Sequence, residues 1–280
     1  MKRALTWLSP EMVPPARPHG LLEEEAYARG FRCVAGLDEV GRGPLAGPVV
    51  AGAVVLPRGV SHPQINDSKL LSAKAREALV PWIKEKALAW GLGIVGPGEI
   101  DRMNILSASL LAMAQALRQM SPVPDYLLID GNQKIPLEFL KPEEARQQAT
   151  DRREASGNRQ ESLILAPSAS SLTPFHPHAS RLTPHAFPFQ RAIKKGDRLS
   201  ISIAAASILA KVARDEIMMD YDRRYPEYGF GQHKGYASSS HLAALSRYGP
   251  SPIHRRSFSP VREWLKVAFG GEAVSSQLKF

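Results

Sequence analysis

Residues 33–56 read CVAGLDEVGRGPLAGPVVAGAVVL. Two runs rich in valine and small apolar residues flank a glycine-rich segment, the pattern of two strands joined through a turn. The first run ends in two adjacent carboxylates, Asp38 and Glu39, followed at once by Gly41, Arg42 and Gly43. Two negative charges and an arginine at the end of an apolar run need a reason, and the surrounding chain supplies it.

Outward from this pair, strand and helix patterns alternate. LLEEEAYARGF (21–31) reads as a short amphipathic helix closed by Gly30. Residues 72–90 have helical composition with a break or kink at Pro81, and LGIVG after them reads as a third strand. Leu106, Leu110, Met113 and Leu117 mark one face of a further helix. DYLLIDG is a buried strand ending in Asp130. Order returns at Ile193, and SISIAAASILAKVARDEIMMDYDRRY (200–225) is a long helix. An opening hairpin followed by strand–helix alternation implies an α/β domain with a mixed sheet.

With 280 residues, 44% of them hydrophobic, the chain can bury a real core. It has no run of about 18 apolar residues to cross a bilayer, and its start has too short an apolar stretch for a secretory signal. The expectation is a cytoplasmic, monomeric protein with no membrane partner. The single cysteine, Cys33, cannot form an internal disulfide and is expected as a packed thiol. Residues 1–20 read as a loose extension and 270–280 as a tail. One folded domain spans 21–269, interrupted at about 142–188 by a Pro/Ser/His-rich insertion without periodicity, expected to be largely disordered. His176, His178 and His185 lie among its prolines, which offer no preorganised metal site.

The charge points to a polyanion: 36 Lys and Arg against 27 Asp and Glu give a net +9. The excess lies C-terminal, with fifteen basic against eight acidic residues from Phe189 onward, including Lys194–Lys195, Arg223–Arg224 and Arg255–Arg256. That part reads as the basic surface. Against this background the acids at strand ends stand out: Asp38, Glu39 and Asp130, joined by Asp197 just before the long helix, with Asp215 on that helix as a rival. Asp215 falls on the apolar stripe and is expected in a structural ion pair or hydrogen bond. Converging carboxylates suit Mg2+ or Mn2+, ions that activate water for phosphodiester cleavage. Neighbouring side chains on a strand face opposite ways, so Asp38 and Glu39 can share a site only where the strand bends or ends.

Six blocks in order, AGLDEVGRGPLAGPVVAGAVVL, NDSKLLS, LLIDGNQKIP, KKGDRLSISIAAASILAKVARD, HKGYASSSHL and GPSPIHRRSF, resemble bacterial ribonuclease HII over about residues 21–269. The resemblance implies a ribonuclease H-like mixed sheet flanked by helices, with a C-terminal helical region. It implies a metal-dependent endoribonuclease using Mn2+ or Mg2+. Its substrates would be the RNA strand of RNA–DNA hybrids and duplex DNA containing ribonucleotides, cut 5′ of the ribonucleotide to leave 3′-hydroxyl and 5′-phosphate ends. Carried over by position, the metal-binding acids fall on Asp38, Glu39 and Asp130 and the fourth catalytic acid on Asp197. Substrate contacts fall on Gly41, Arg42, Gly43, Lys69 and Tyr236. The chain departs from the family pattern in one place, the long connection between the DGN and KGD blocks, which separates Asp130 from Asp197.

Overall fold

The computed structural model describes residues 18–141 and 187–269. Most of the expected extension and insertion, and the whole tail, lie outside these residues. The chain divides into two units, Met1–Ile135 with Pro188–Phe280, and Pro136–Phe187. In the second, Leu137–Leu140 forms a single helical turn.

The first unit is built on five strands: β1 (Val34–Val40), β2 (Val49–Val55), β3 (Ala89–Val95), β4 (Tyr126–Asp130) and β5 (Phe189–Ile193). Their spatial order is β3-β2-β1-β4-β5. β1 pairs antiparallel with β2 and parallel with β4, so the sheet is mixed, as the alternation implies. The opening hairpin and the third strand fall where expected, β3 beginning a few residues earlier than LGIVG.

β5 has no counterpart in the sequence reading, which placed the return of order at Ile193. FQRAI is a short edge strand whose residues are mostly half-buried or exposed, so it carries little alternation. It pairs parallel with β4 from Tyr126–Phe189 to Asp130–Ile193. The chain therefore re-enters the sheet directly after the long connection, and the sequence separation of Asp130 from Asp197 does not keep them apart.

The principal helices are α1 (Leu21–Ala28), α2 (Ala73–Lys86), α3 (Pro97–Met103), α4 (Ile105–Arg118) and the 24-residue α5 (Ile201–Arg224). After them come α6 (Phe230–His233), α7 (Ser239–Tyr248) and α8 (Ser259–Phe269). Pro81 does not break α2, which runs through it. Pro81 is exposed, so water can satisfy the carbonyl its ring leaves unpaired. In α4, Leu110, Met113 and Leu117 are buried as the spacing predicts, while Leu106 is 37% exposed.

α5 covers one face of β1 and β2 and α4 the opposite face of β2 and β3. The α5 contact is backbone to backbone. A Cβ at Gly36 would overlap Ser202 and Ile203, and one at Gly52 would overlap the Ala206 carbonyl. The run Ala204–Ala205–Ala206 supplies the matching small side chains. α1 holds the start of α5: Ser200 Oγ caps the Ile203 N–H at 3.1 Å and donates to Glu23 at 2.6 Å, and the Ser202 N–H donates to the same Glu23 oxygen at 3.0 Å. Cys33 is half-buried rather than fully packed, and burial, with Asp125 adding, pushes its thiol up to about 11, which leaves it inert.

The C-terminal helical region closes on a histidine pair. His241 Nδ1 lies 2.8 Å from the Tyr236 carbonyl, and its Nε2 lies 3.0 Å from His254 Nε2, while the Ser251 N–H donates to His254 Nδ1 at 2.9 Å. This chain accommodates one proton between the two Nε2 atoms, so both rings are neutral. Burial lowers both pKa values, that of His254 to about 3 with His241 adding.

Two outcomes are expected. Gly52→Ala should cost about 1–3 kcal/mol by forcing a methyl into the Ala206 carbonyl, read as a lowered urea midpoint. For His254, protonation favours the unfolded chain, whose histidines titrate near 6.5. The stability it contributes is full above that pH and is lost as pH falls towards 3. His254→Gln should therefore melt lower than wild type at pH 7.5, yet lose less on going to pH 5.

Candidate active site

Parallel pairing sets the site. Leu37 lies beside Ile129, so the next residues along both strands, Asp38 and Asp130, come to the same edge of the sheet. Gly36, two residues before Asp38, packs on α5, which places Asp38 on the α5 face. Asp38 is buried, and the Glu39 N–H donates to its Oδ1 at 2.7 Å. Ser207 of α5 also hydrogen-bonds to its carboxylate. Glu39 lies one residue on, in a small cleft with Arg42, Ser109, Met113, Asp130 and Asn132. The two neighbours thus flank the edge of the sheet, and Asp130 acts on both.

The electrostatics record this meeting. Burial raises Asp38 well above the ordinary carboxylate range, with the charges of Glu39 and Asp130 adding. Burial also raises Glu39, with Arg42 opposing and Asp130 reinforcing the shift. Asp197, 3% exposed, is raised by burial and then by Asp130 and Asp67. The link from Asp130 to the Asp197 segment is direct, because the Gly196 N–H donates to Asp130 Oδ1 at 2.6 Å. Asp130 thus lies close enough to Asp38, Glu39 and Asp197 to disfavour the charge of each.

Basic side chains partly offset this. Arg42 is exposed and reaches Glu39 at 3.2 Å. Lys69 Nζ lies 3.4 Å from Asp197, and although desolvation works against its charge, Asp197, Asp38 and Asp67 outweigh it and raise its pKa. Tyr236 is 48% exposed while its backbone is fixed by His233 and His241. Gly43 is also exposed, and a Cβ there would meet only Tyr236 Cε1, at 3.6 Å. Arg42 and Lys69 are thus tied to the acids of this edge, and Gly43, next to Arg42 in the chain, lies beside Tyr236.

Asp215 does not join them. It bonds Lys211 at 2.6 Å and Arg76 at 3.6 Å, the ion pair its place on the apolar stripe predicts. Arg76 in turn donates to the carbonyls of Ser68 and Leu71, so this network holds the loop that carries Lys69.

Several residues of the site escaped the sequence reading. Ser207 bonds both Asp38 and Ser68, the latter at 2.8 Å. Asp67 accepts from the Lys69 N–H at 3.0 Å and from Arg198 at 3.2 Å. The only signal for Ser207 was a hydroxyl on a helix face otherwise made of small apolar residues. Arg255, counted above with the basic surface, is fully buried, whereas Arg256 beside it is exposed. Arg214 is fully buried as well.

A mixed five-stranded sheet in this order, helices on both faces and acids gathered at the ends of adjacent parallel strands define a ribonuclease H-like fold. The family model Ribonuclease HII matches residues 35–174 and 176–261. The chain is 43% identical over 256 residues to the ribonuclease HII of Syntrophotalea carbinolica, covering 91% of this chain and 99% of that protein. Among solved structures it is similar to ribonuclease H2 from Pyrococcus horikoshii OT3, with TM-score 0.57 and 25% identity over 84% of this chain and 98% of that one. The structure of Bst ribonuclease HIII in complex with Mn2+ gives TM-score 0.51 at 17% identity, over 85% and 70% of the two chains, a likeness of fold. The chain belongs to the ribonuclease HII family.

The donor set fits a hard divalent cation. Its oxygens are carboxylates held together against their mutual repulsion, which a bound cation would relieve. Among the described residues no three His, Cys, Asp or Glu side chains already form a cage. The repulsion itself is testable in metal-free protein. Because the pKa of Asp38 is raised in the folded state, its ionisation costs stability at high pH, a cost that fades as pH falls through its folded pKa. Asp38→Asn in EDTA should melt above wild type at pH 8, with the difference shrinking towards pH 5.

Proposed function

We propose that this protein is a divalent-metal-dependent endoribonuclease that cuts the RNA strand of RNA–DNA hybrids and cuts 5′ of ribonucleotides embedded in duplex DNA. The observation that carries this reading is the gathering of Asp38, Glu39, Asp130 and Asp197 beside the exposed Gly43 and Tyr236, in a member of the ribonuclease HII family.

Asp38, Glu39 and Asp130 would hold Mg2+ or Mn2+, with Asp197 completing the acidic set. The Mn2+ complex of Bst ribonuclease HIII, a protein of the same fold, supports this ion class. When bound, such ions lower the pKa of water and stabilise charge on the leaving oxygen, giving 3′-hydroxyl and 5′-phosphate ends. The rest falls to this chain's own groups. Ser207 and the Glu39 N–H fix the Asp38 carboxylate, and the Gly196 N–H fixes that of Asp130. Lys69, exposed and tethered to Asp197, would contact a phosphate, as would Arg42. The ribose 2′-hydroxyl is the group that separates RNA from DNA, and backbone approaches it closely only where a side chain is missing. The exposed Gly43 meets that condition. Gly41 is a glycine for a different reason, because a Cβ there would overlap Arg214 behind it. The ring of Tyr236 would stack on the sugar or base, with its hydroxyl within reach of the 2′-oxygen.

A labelled duplex with a single ribonucleotide, assayed beside all-DNA, all-RNA and hybrid duplexes, tests the reading. Cleavage confined to ribonucleotide-containing duplexes is expected, and cutting of all-DNA duplex at a similar rate would overturn it. Asp130→Asn should lower turnover at least about a hundredfold with little loss of duplex binding. Tyr236→Phe should slow cutting at a lone ribonucleotide with the melting temperature nearly unchanged.

We also propose that the segment between β4 and β5 is an insertion dispensable for this activity, since those two strands pair directly. Replacing residues 145–186 with a short Gly/Ser linker should leave turnover within about threefold, loop length being a weak term in closure entropy.

A further inference from the structure

The turn from Gly41 to Pro48 is gripped from behind by two buried arginines. Arg255 donates to the carbonyls of Gly41 at 2.5 Å, Arg42 at 2.9 Å and Gly47 at 3.0 Å. Arg214 donates to Pro48 at 3.0 Å and Ala46 at 3.3 Å, and to Lys234 at 3.1 Å, two residues before Tyr236. Six carbonyls are thus drawn inward. The N–H groups of Arg42 and Gly43 meet no acceptor among the described residues.

Packing repeats this division. On the inner side, a Cβ at Gly41 would overlap Arg214 and one at Gly47 would overlap Met218, while on the outer side Gly43 faces open space beside Tyr236. Neither guanidinium has a carboxylate partner at salt-bridge distance among the described residues, and Asp215, next to Arg214, is taken by Lys211 and Arg76. Burial lowers both pKa values, that of Arg255 to about 9 with Arg214 adding, so Arg255 stays charged at neutral pH.

We infer that Arg255, with Arg214, is a positioning residue for ribonucleotide selection: by occupying the carbonyls of the turn it holds the Arg42 and Gly43 amides outward as donors for the 2′-oxygen. The inference rests on the ribonucleotide-cutting function proposed above. Two unneutralised guanidiniums behind the turn also favour an electron-rich group in front of it. A fold requirement alone would explain the buried bonds. It would not predict that the outward amides lose their selectivity when only the fork is changed.

Arg255→Lys keeps the charge, but one ammonium cannot reproduce a planar fork spread over three carbonyls. The measurement is the ratio of Kd values for an all-DNA duplex and the same duplex with one ribonucleotide, by fluorescence anisotropy with Ca2+ in place of Mg2+, where no cleavage is detected. Any inactive fraction cancels in this ratio. Wild type should favour the ribonucleotide duplex, and Arg255→Lys should lose about tenfold of that preference while binding all-DNA duplex within about twofold. Gly91→Ala, which forces a methyl into the Ala116 carbonyl at the β3–α4 contact on the other face of the sheet, should keep the wild-type ratio. If Arg255→Lys does not fold, Arg214→Lys gives the same reading. A preference retained in the folded arginine variant overturns this inference alone. A wild type that neither prefers nor cuts ribonucleotide-containing duplex overturns it together with the proposed function.

Discussion

The approach of α5 to the backbones of β1 and β2 is the contact on which the site depends. It is possible only because Gly36 and Gly52 face the alanine run and present no Cβ to it. Once the helix lies there, Ser207 reaches Asp38, Arg214 reaches the 41–48 turn, and Met218 packs beneath Gly47. Its N-terminus, capped by Ser200 and braced by Glu23, fixes the Gly196–Arg198 turn that carries Asp197. A wider spacing would weaken the support of Asp38 and of the turn together, because one rigid helix carries both.

The acids are held against electrostatics. Burial and mutual repulsion both disfavour their ionised forms, and the structure offsets this with a few aimed donors: the Glu39 and Gly196 N–H groups, Ser207, Lys69 and Arg42. Such a cluster lowers the stability of the protein without metal and readies it for a divalent cation, since the same repulsion that costs the fold is relieved on binding. Lys69 and Arg42 are exposed, so water screens their pairing with these acids.

Charge is used in two ways. Lys194, Lys195, Arg223, Arg224 and Arg256 are exposed and suit a polyanionic duplex. Arg214 and Arg255 are buried and bond only to carbonyls, so their positive charge is spent on shaping a backbone turn. The histidine pair completes this rear scaffold, since His241 holds the Tyr236 carbonyl and residue 254 bridges to Ala46 of the turn. Three loops distant in sequence are thereby locked at one place.

The mixed sheet, the main helices and the acids at run ends were legible in the sequence. Apolar runs broken by glycine, a helical spacing of leucines and acids at run ends are local signals, and the ordered blocks gave the family. It also placed Asp215 in an ion pair, because an acid on an apolar stripe requires a partner. The rest came from contacts between segments far apart in the chain. β5 is a short edge strand with little alternation, so nothing local announced the pairing that returns Asp197 to Asp130. Arg255 and Arg256 are adjacent and alike in sequence, yet one is fully buried and the other exposed. What separates them is the set of carbonyls that a distant turn presents to Arg255, and composition carries no record of where those carbonyls point.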